Sequence, residues 1–224
     1  MGHAIGDLLP AAVGVAISPL SIVAVVLILV SARGRVNGPS FLLGWIVGVA
    51  GAGTILLLVA SGAGANDAGD QADWVGWLKL VLGLALIRMA SRQFRSRPHG
   101  DEEPVTPKWM GALDSFTPPK AAGAGIVLSA LNPKNLVLIA AGMSAIAGTG
   151  IPGGDQAVAL IVFTVVATIG VAVPVVIYFA LGERSAETLD HLRIWLVRHN
   201  AVIVAVLLLV IGVKLIGDAI SALS

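Results

Sequence analysis

Long apolar runs, most of them about the length of a bilayer crossing, alternate along the chain with short polar connections. A helix crosses the hydrocarbon core with about 20 mostly apolar residues. Six segments meet that need, at 8–30, 39–60, 74–90, 121–147, 157–181 and 201–223. The third is the shortest and holds Lys79 near its outer edge. Two of the six are interrupted. The first contains Ser18-Pro19-Leu20-Ser21 and the fourth contains Asn132-Pro133-Lys134-Asn135. Proline gives no amide hydrogen to the helical ladder, and its ring clashes with the carbonyl four residues back. Both segments therefore predict helices broken inside the bilayer. At 1.5 Å per residue, Pro19 lies roughly 16 Å along its span, near the midplane.

The two interruptions match each other. Ala16 to Val23 and Ala130 to Val137 share the pattern Ala, aliphatic, small polar, Pro, any, small polar, aliphatic, Val. A second match, in the same order, joins Leu80 to Ile87 with Leu209 to Ile216, with Gly83 aligned on Gly212. The chain thus divides into a first repeat (1–90), a linker (91–120) and a second repeat (121–224). Three crossings per repeat is an odd number, so the second repeat enters the membrane the other way up. The predicted fold is an all-α polytopic membrane protein with six transmembrane helices in two inverted three-helix repeats.

Charge fixes the orientation. Arg33 and Arg35 follow the first span, a run from Arg88 to Lys120 follows the third, and Arg184, Arg193 and Arg198 follow the fifth. The other connections hold Asp67, Asp70, Asp73 and Asp155 and no basic residue. Basic loops stay in the cytoplasm, which places both termini outside a plasma (inner) membrane. The linker, with Pro98, Pro104, Pro107, Pro118, Pro119 and the acidic run Asp101-Glu102-Glu103, reads as a connection and not a domain. Composition agrees: 57% of the 224 residues are hydrophobic and 12% charged, with a mean hydropathy of +0.93, which excludes a soluble globular domain. The first seven residues lack Lys and Arg, so no cleavable leader is expected. Cysteine is absent, which removes disulfides and thiolate metal sites. His3, His99, His191 and His199 are scattered by topology, so neither a metal nor a cofactor is expected. No nucleophile triad, phosphate-binding glycine loop or nucleotide signature is present, so neither an enzyme nor a nucleic-acid binder is expected.

The breaks carry the candidate chemistry. Ser18, Pro19, Ser21, Asn132, Pro133, Lys134 and Asn135 make the proposed substrate site. Freed amides at half-helix N-termini and the Lys134 ammonium suit an anionic group. The alternative is that the prolines only kink their helices and Lys134 satisfies freed carbonyls or pairs with a carboxylate. Asp114, Thr117 and Lys120 precede the fourth span as a cytoplasmic gate or a helix-start cap. Lys214 and Asp218, four apart near the outer end, form an ion pair or line an exit, with Asp218 a second option as partner of Lys134. Gly44, Gly48 and Gly51 give the second span a small-residue face for close packing, and Pro174 implies a kink in the fifth. Such faces allow a homodimer.

Six spans in two inverted halves, with Ser18-Pro19-Leu20-Ser21, Asp114-Ser115-Phe116-Thr117-Pro118 and Leu131-Asn132-Pro133-Lys134-Asn135-Leu136, resemble the LysE superfamily of exporters. Within it the chain is most similar to the GAP and Sap group, the glycopeptidolipid- and sulfolipid-addressing proteins of actinobacteria. The resemblance implies a LysE-like fold and outward movement of cell-envelope lipids, with membrane lipids as partners and an anionic or polar lipid as substrate. Amino-acid exporters of the superfamily usually carry Pro-Gly-Pro where this chain has Ser18-Pro19-Leu20. Two other expectations stand beside it: export of a small solute such as an amino acid or ion, and a non-transporting scaffold acting through the 91–120 linker.

Overall fold

The computed structural model describes residues 2–61, 73–95, 116–182 and 185–223. Its elements are α1 (Gly2–Ala16), α2 (Pro19–Val30), α3 (Gly34–Ala60), α4 (Asp73–Arg95), α5 (Pro118–Ala130), α6 (Pro133–Ala147), α7 (Gly153–Leu181) and α8 (Ser185–Leu223). No strand occurs among the described residues. Proline opens α2, α5 and α6 at the first helical position, where its missing amide hydrogen has no helical partner to lose. The two predicted breaks are present. Pro19 separates α1 from α2 with a bend of 50°, and Pro133 separates α5 from α6 with a bend of 61°.

By length and composition α3, α7 and the 201–221 part of α8 can each cross a membrane, and each bent pair adds one candidate span. That makes five where the sequence predicts six. The remaining helix, α4, carries Lys79 near one end and Arg88, Arg92 and Arg95 near the other, and falls outside that set. Other boundaries shift too. α1 begins at Gly2 and so takes Asp7 into the helix, and α3 begins at Gly34. The connection expected before the last span, which holds His191 and His199, is helical: α8 runs unbroken from Ser185. No Gly or Pro occurs from 185 to 211 to stop it, and Glu187 in the first turn favours a helix start. Gly182 ends α7 with φ +55°, a backbone position a side chain resists.

Packing follows the small residues. α3 lies along α5, where Gly44 seats on the Ala122 carbonyl and Gly125 on the backbone of Phe41 and Trp45. Gly48 faces Ser129. Gly51, predicted to share that face, points to open space, so the close-packed face ends one turn earlier than expected. α4 and α8 cross antiparallel at Gly83 and Gly212. Gly83 meets Ile216 and the Gly212 carbonyl, while Gly212 meets Ile87 and the Gly83 carbonyl. The core between the helices holds Phe41 and Trp45 of α3, Met143 of α6 and Phe163 of α7, all fully buried. Trp45 Nε1 donates to the Ala167 carbonyl at 3.2 Å. A Trp45→Phe variant keeps most of the ring and loses that bond. The lost bond costs about 1 kcal/mol and the void left by the smaller ring adds about 1–2 kcal/mol, read together as a lower melting temperature in detergent. Facing outward, Ile161, Val165, Ile169, Val173 and Val176 form an exposed apolar stripe on α7. Such a stripe belongs against lipid, and the protein is membrane-embedded.

Candidate functional site

Each break leaves backbone carbonyls without amide donors, and side chains take three of them. In the first break the Ile17 amide still reaches the Val13 carbonyl, but the Ser18 amide turns to Ala16. The Gly14 carbonyl, four residues before Ser18, is thereby released. Lys134 Nζ fills the gap from the other half of the chain, donating to the Gly14 carbonyl at 3.0 Å and the Ile17 carbonyl at 2.7 Å. Its amine sits at the C-terminal end of α1, the end of a helix dipole that attracts positive charge. The second break repeats the first. The Leu131 amide reaches Val127, and among the carbonyls released is that of Leu128, the aligned counterpart of Gly14. Asn135 Nδ2 donates to it at 3.0 Å.

The remaining break residues serve their own helices. Asn132 Oδ1 caps α6 by accepting from the Lys134 amide at 3.1 Å. Ser18 and Ser21 are buried and their hydroxyls bond each other at 3.2 Å. Pro19 is buried at the start of α2, and Pro133 opens α6. Of the break side chains, Asn135 keeps a free acceptor: its buried Oδ1 has no partner among the described residues. The structure therefore joins the two breaks through Lys134 and gives its amine carbonyl partners, not Asp218. Leu20, aligned with Lys134, is 40% exposed and makes no such bridge.

Open space lies elsewhere. A cavity of about 460 Å³ occupies the end of the bundle that carries both termini. Pro10 and Ala11 of α1 and Ala141 and Ala145 of α6 form its walls, and Ile211 of α8 reaches its base. Directly below, Leu138 and Ile211 close over Gly14, where an added Cβ would lie 3.0 Å from Leu138 Cδ1 and 3.4 Å from Ile211 Cδ1. Gly14 and Leu138 stand about one helical turn from Pro10 and Ala141 of the wall, and with Ile211 they form an apolar floor on that side. A second cavity, of about 470 Å³, opens where α2 and α7 end, lined by Arg35, Tyr178 and Ser185 among others.

Charge collects at the first cavity. Lys214 Nζ bonds Asp7 Oδ1 at 2.8 Å and Asp218 Oδ2 at 3.4 Å. Lys79 lines the same space. The Lys214–Asp218 pair was legible from its spacing of four. Asp7 and Lys79 were not placed there, although each is an ionisable residue inside or beside an apolar run, which is the signal that finds them. At the start of α5, Thr117 takes the N-cap position without a side-chain cap bond, and Lys120 is exposed. Asp114 lies outside the described residues. Asn37, which the sequence did not single out, is buried on α3 and donates to the Phe116 carbonyl at 2.8 Å.

The family model described as Sap, sulfolipid-1-addressing protein, matches residues 8–221. The chain belongs to this family. No curated protein and no solved structure matches it. The match covers both breaks, the Lys134 bridge and every residue lining the first cavity except Asp7, one position before its start. In this sulfolipid-1-addressing family member, all of the described helices thus fall within the matched region or extend it by a few residues.

Proposed function

We propose that this protein exports an anionic lipid of the cell envelope, or its precursor, by alternating access at the junction of the two broken helices. The observation that carries this is the Lys134 bridge. An ammonium at membrane depth holds two neutral carbonyls across the interface of the two halves, between a cavity at one end and a cavity at the other. An ammonium bonded to carbonyls has no opposite charge beside it, and an oxyanion adds a Coulomb attraction that the dry junction screens little. An anionic headgroup reaching the junction can therefore draw Lys134 off Gly14 and Ile17. Losing that tie removes the polar link between α1 and α6 and loosens the floor made by Leu138, Ile211 and Gly14. Membership of the sulfolipid-1-addressing family supports a lipid as cargo.

Two further features belong to this reading. The α4–α8 crossing is reciprocal: Gly83 with Ile216 and Gly212 with Ile87 exchange under the shift that aligns Leu80–Ile87 with Leu209–Ile216. A two-fold related pair of repeats produces such contacts, which supports two inverted halves of three spans, with α4 as the sixth. The basic connections support both termini outside a plasma membrane, which puts the charged cavity on the outer face. No bond in the lipid is made or broken, and no cofactor takes part.

The test is reconstitution of the full chain in phosphatidylcholine vesicles doped with a sulfated glycolipid, following its movement between leaflets with a membrane-impermeant reagent. Transfer above that of empty vesicles is expected. Transfer no faster than in empty vesicles, with protein correctly inserted, sinks the reading. Deleting residues 98–112 is expected to leave transfer unchanged, which a scaffold acting through the linker does not predict.

A further inference from the structure

The charged cavity holds a lysine that the junction does not use. Lys79 is 9% exposed, lines the cavity, and has no hydrogen-bond or ion-pair partner among the described residues. An ionisable group at such depth is costly unless it faces water, a partner or a ligand. The carboxylates sharing the space are already engaged: Asp7 and Asp218 both bind Lys214, at 2.8 and 3.4 Å. That trio of one cation and two anions leaves Lys214 no charge to offer. Lys79 stands apart from it, with three N–H donors and a cavity of about 460 Å³ in front of them. Two residues along α4, Trp77 is 58% exposed, the kind of ring that sits where hydrocarbon meets headgroups.

We propose that Lys79 holds an oxyanion, a sulfate or phosphate ester, in a second binding site distinct from the helix breaks. The neighbouring groups narrow the ligand. Asp7 and Asp218 are partly exposed and, as carboxylates, only accept hydrogen bonds. They suit hydroxyl donors and repel a second anionic group. The fitting ligand carries one oxyanion for Lys79 and a hydroxyl-rich portion for the aspartates, as an acidic sugar headgroup does. In the export cycle this site receives the headgroup after it passes the Leu138 floor. The identification of the ligand as a lipid rests on the export reading; the oxyanion site rests on the cavity.

The full chain in phosphatidylcholine nanodiscs, with fluorescent sulfatide as probe and fluorescent galactosylceramide as its uncharged control, tests this. The wild type is expected to bind sulfatide more tightly than the control. Lys79→Gln is expected to weaken sulfatide binding by roughly tenfold or more, the loss of one charge-assisted contact. Lys79→Arg is expected to retain it within about threefold, and Arg92→Gln, at the exposed far end of α4, to leave it unchanged. Melting temperatures identify any variant that fails to fold; Lys79→Arg then decides, since it keeps the charge. Inorganic sulfate at matched ionic strength separates the sources: competition makes the site one for free oxyanions as well, and no competition restricts it to the lipid headgroup. Equal affinity for sulfatide and control, or a folded Lys79→Gln that binds like wild type, overturns the proposal. Binding that depends on Lys79 without leaflet transfer leaves this site standing and sinks the export reading; transfer without such binding does the reverse.

Discussion

Lys134→Met is expected to lower lipid transfer by tenfold or more while the protein still folds and inserts. Methionine matches the apolar stem of lysine out to Cε and removes the charged end with its donors. The variant leaves the Gly14 and Ile17 carbonyls without the amine they hold at 3.0 and 2.7 Å. Side-chain hydrogen bonds in membrane proteins average about 0.6 kcal/mol, and an orphaned buried group costs about 1–3 kcal/mol. Two of them cost about 1–6 kcal/mol in all, which lowers the melting temperature. Transfer falls further, because a barrier rise of only about 1.4 kcal/mol is tenfold in rate and the anion then meets no cation at the junction. Melting in detergent and leaflet transfer in vesicles are measured together. A variant that melts early and transfers normally reduces Lys134 to a helix tie. Lys134→Arg is expected to recover part of the rate, since it keeps the charge and presents it in a wider, planar fork.

Gly44→Leu is expected to prevent accumulation of folded protein. An added Cβ there runs into the Ala122 carbonyl, and its next neighbours are also backbone. Backbone within a helix pair cannot yield without separating α3 from α5. Overpacking against movable side chains costs about 1–3 kcal/mol, and a fixed backbone obstacle places this change at or above that range. Gly51→Leu supplies the contrast. Nothing lies within 4 Å of an added Cβ at Gly51, so the change is expected to leave stability unchanged or raise it by up to about 1 kcal/mol, since glycine is the poorer helix former. Both are read from membrane expression and thermal melting in the same detergent. Equal damage from the two substitutions contradicts the packing of α3 along α5.

These two glycines also mark where sequence and structure part. From the chain alone, Gly44, Gly48 and Gly51 form one small-residue face; only the path of α5 decides that Gly44 and Gly48 meet it and Gly51 does not. The breaks at Pro19 and Pro133 are fully legible, because proline acts on the backbone of its own helix whatever surrounds it. So are the apolar stretches, since hydrocarbon selects for length and composition. The family was legible as well, from Ser18-Pro19-Leu20-Ser21 and Asn132-Pro133-Lys134-Asn135. Less legible was the extent of α8, whose polar first half looked like a loop. Its lack of Gly and Pro carried the local answer, and Leu189, buried to 0% exposure, shows that packing completes it.

The candidate site divides along the same line. Sequence determined that a lysine stands at the second break and a leucine at the first, hence that any cation at the junction comes from one half. Tertiary structure decided what that lysine holds, because Gly14 and Ile17 lie in the other half and their carbonyls carry no side-chain signature. It likewise gathered Asp7, Lys79, Lys214 and Asp218 around one cavity from three helices far apart in the chain. Local patterns record how each helix begins, breaks and turns its apolar face. Which polar groups share a space depends on how the helices lie against one another, and only the folded bundle sets that.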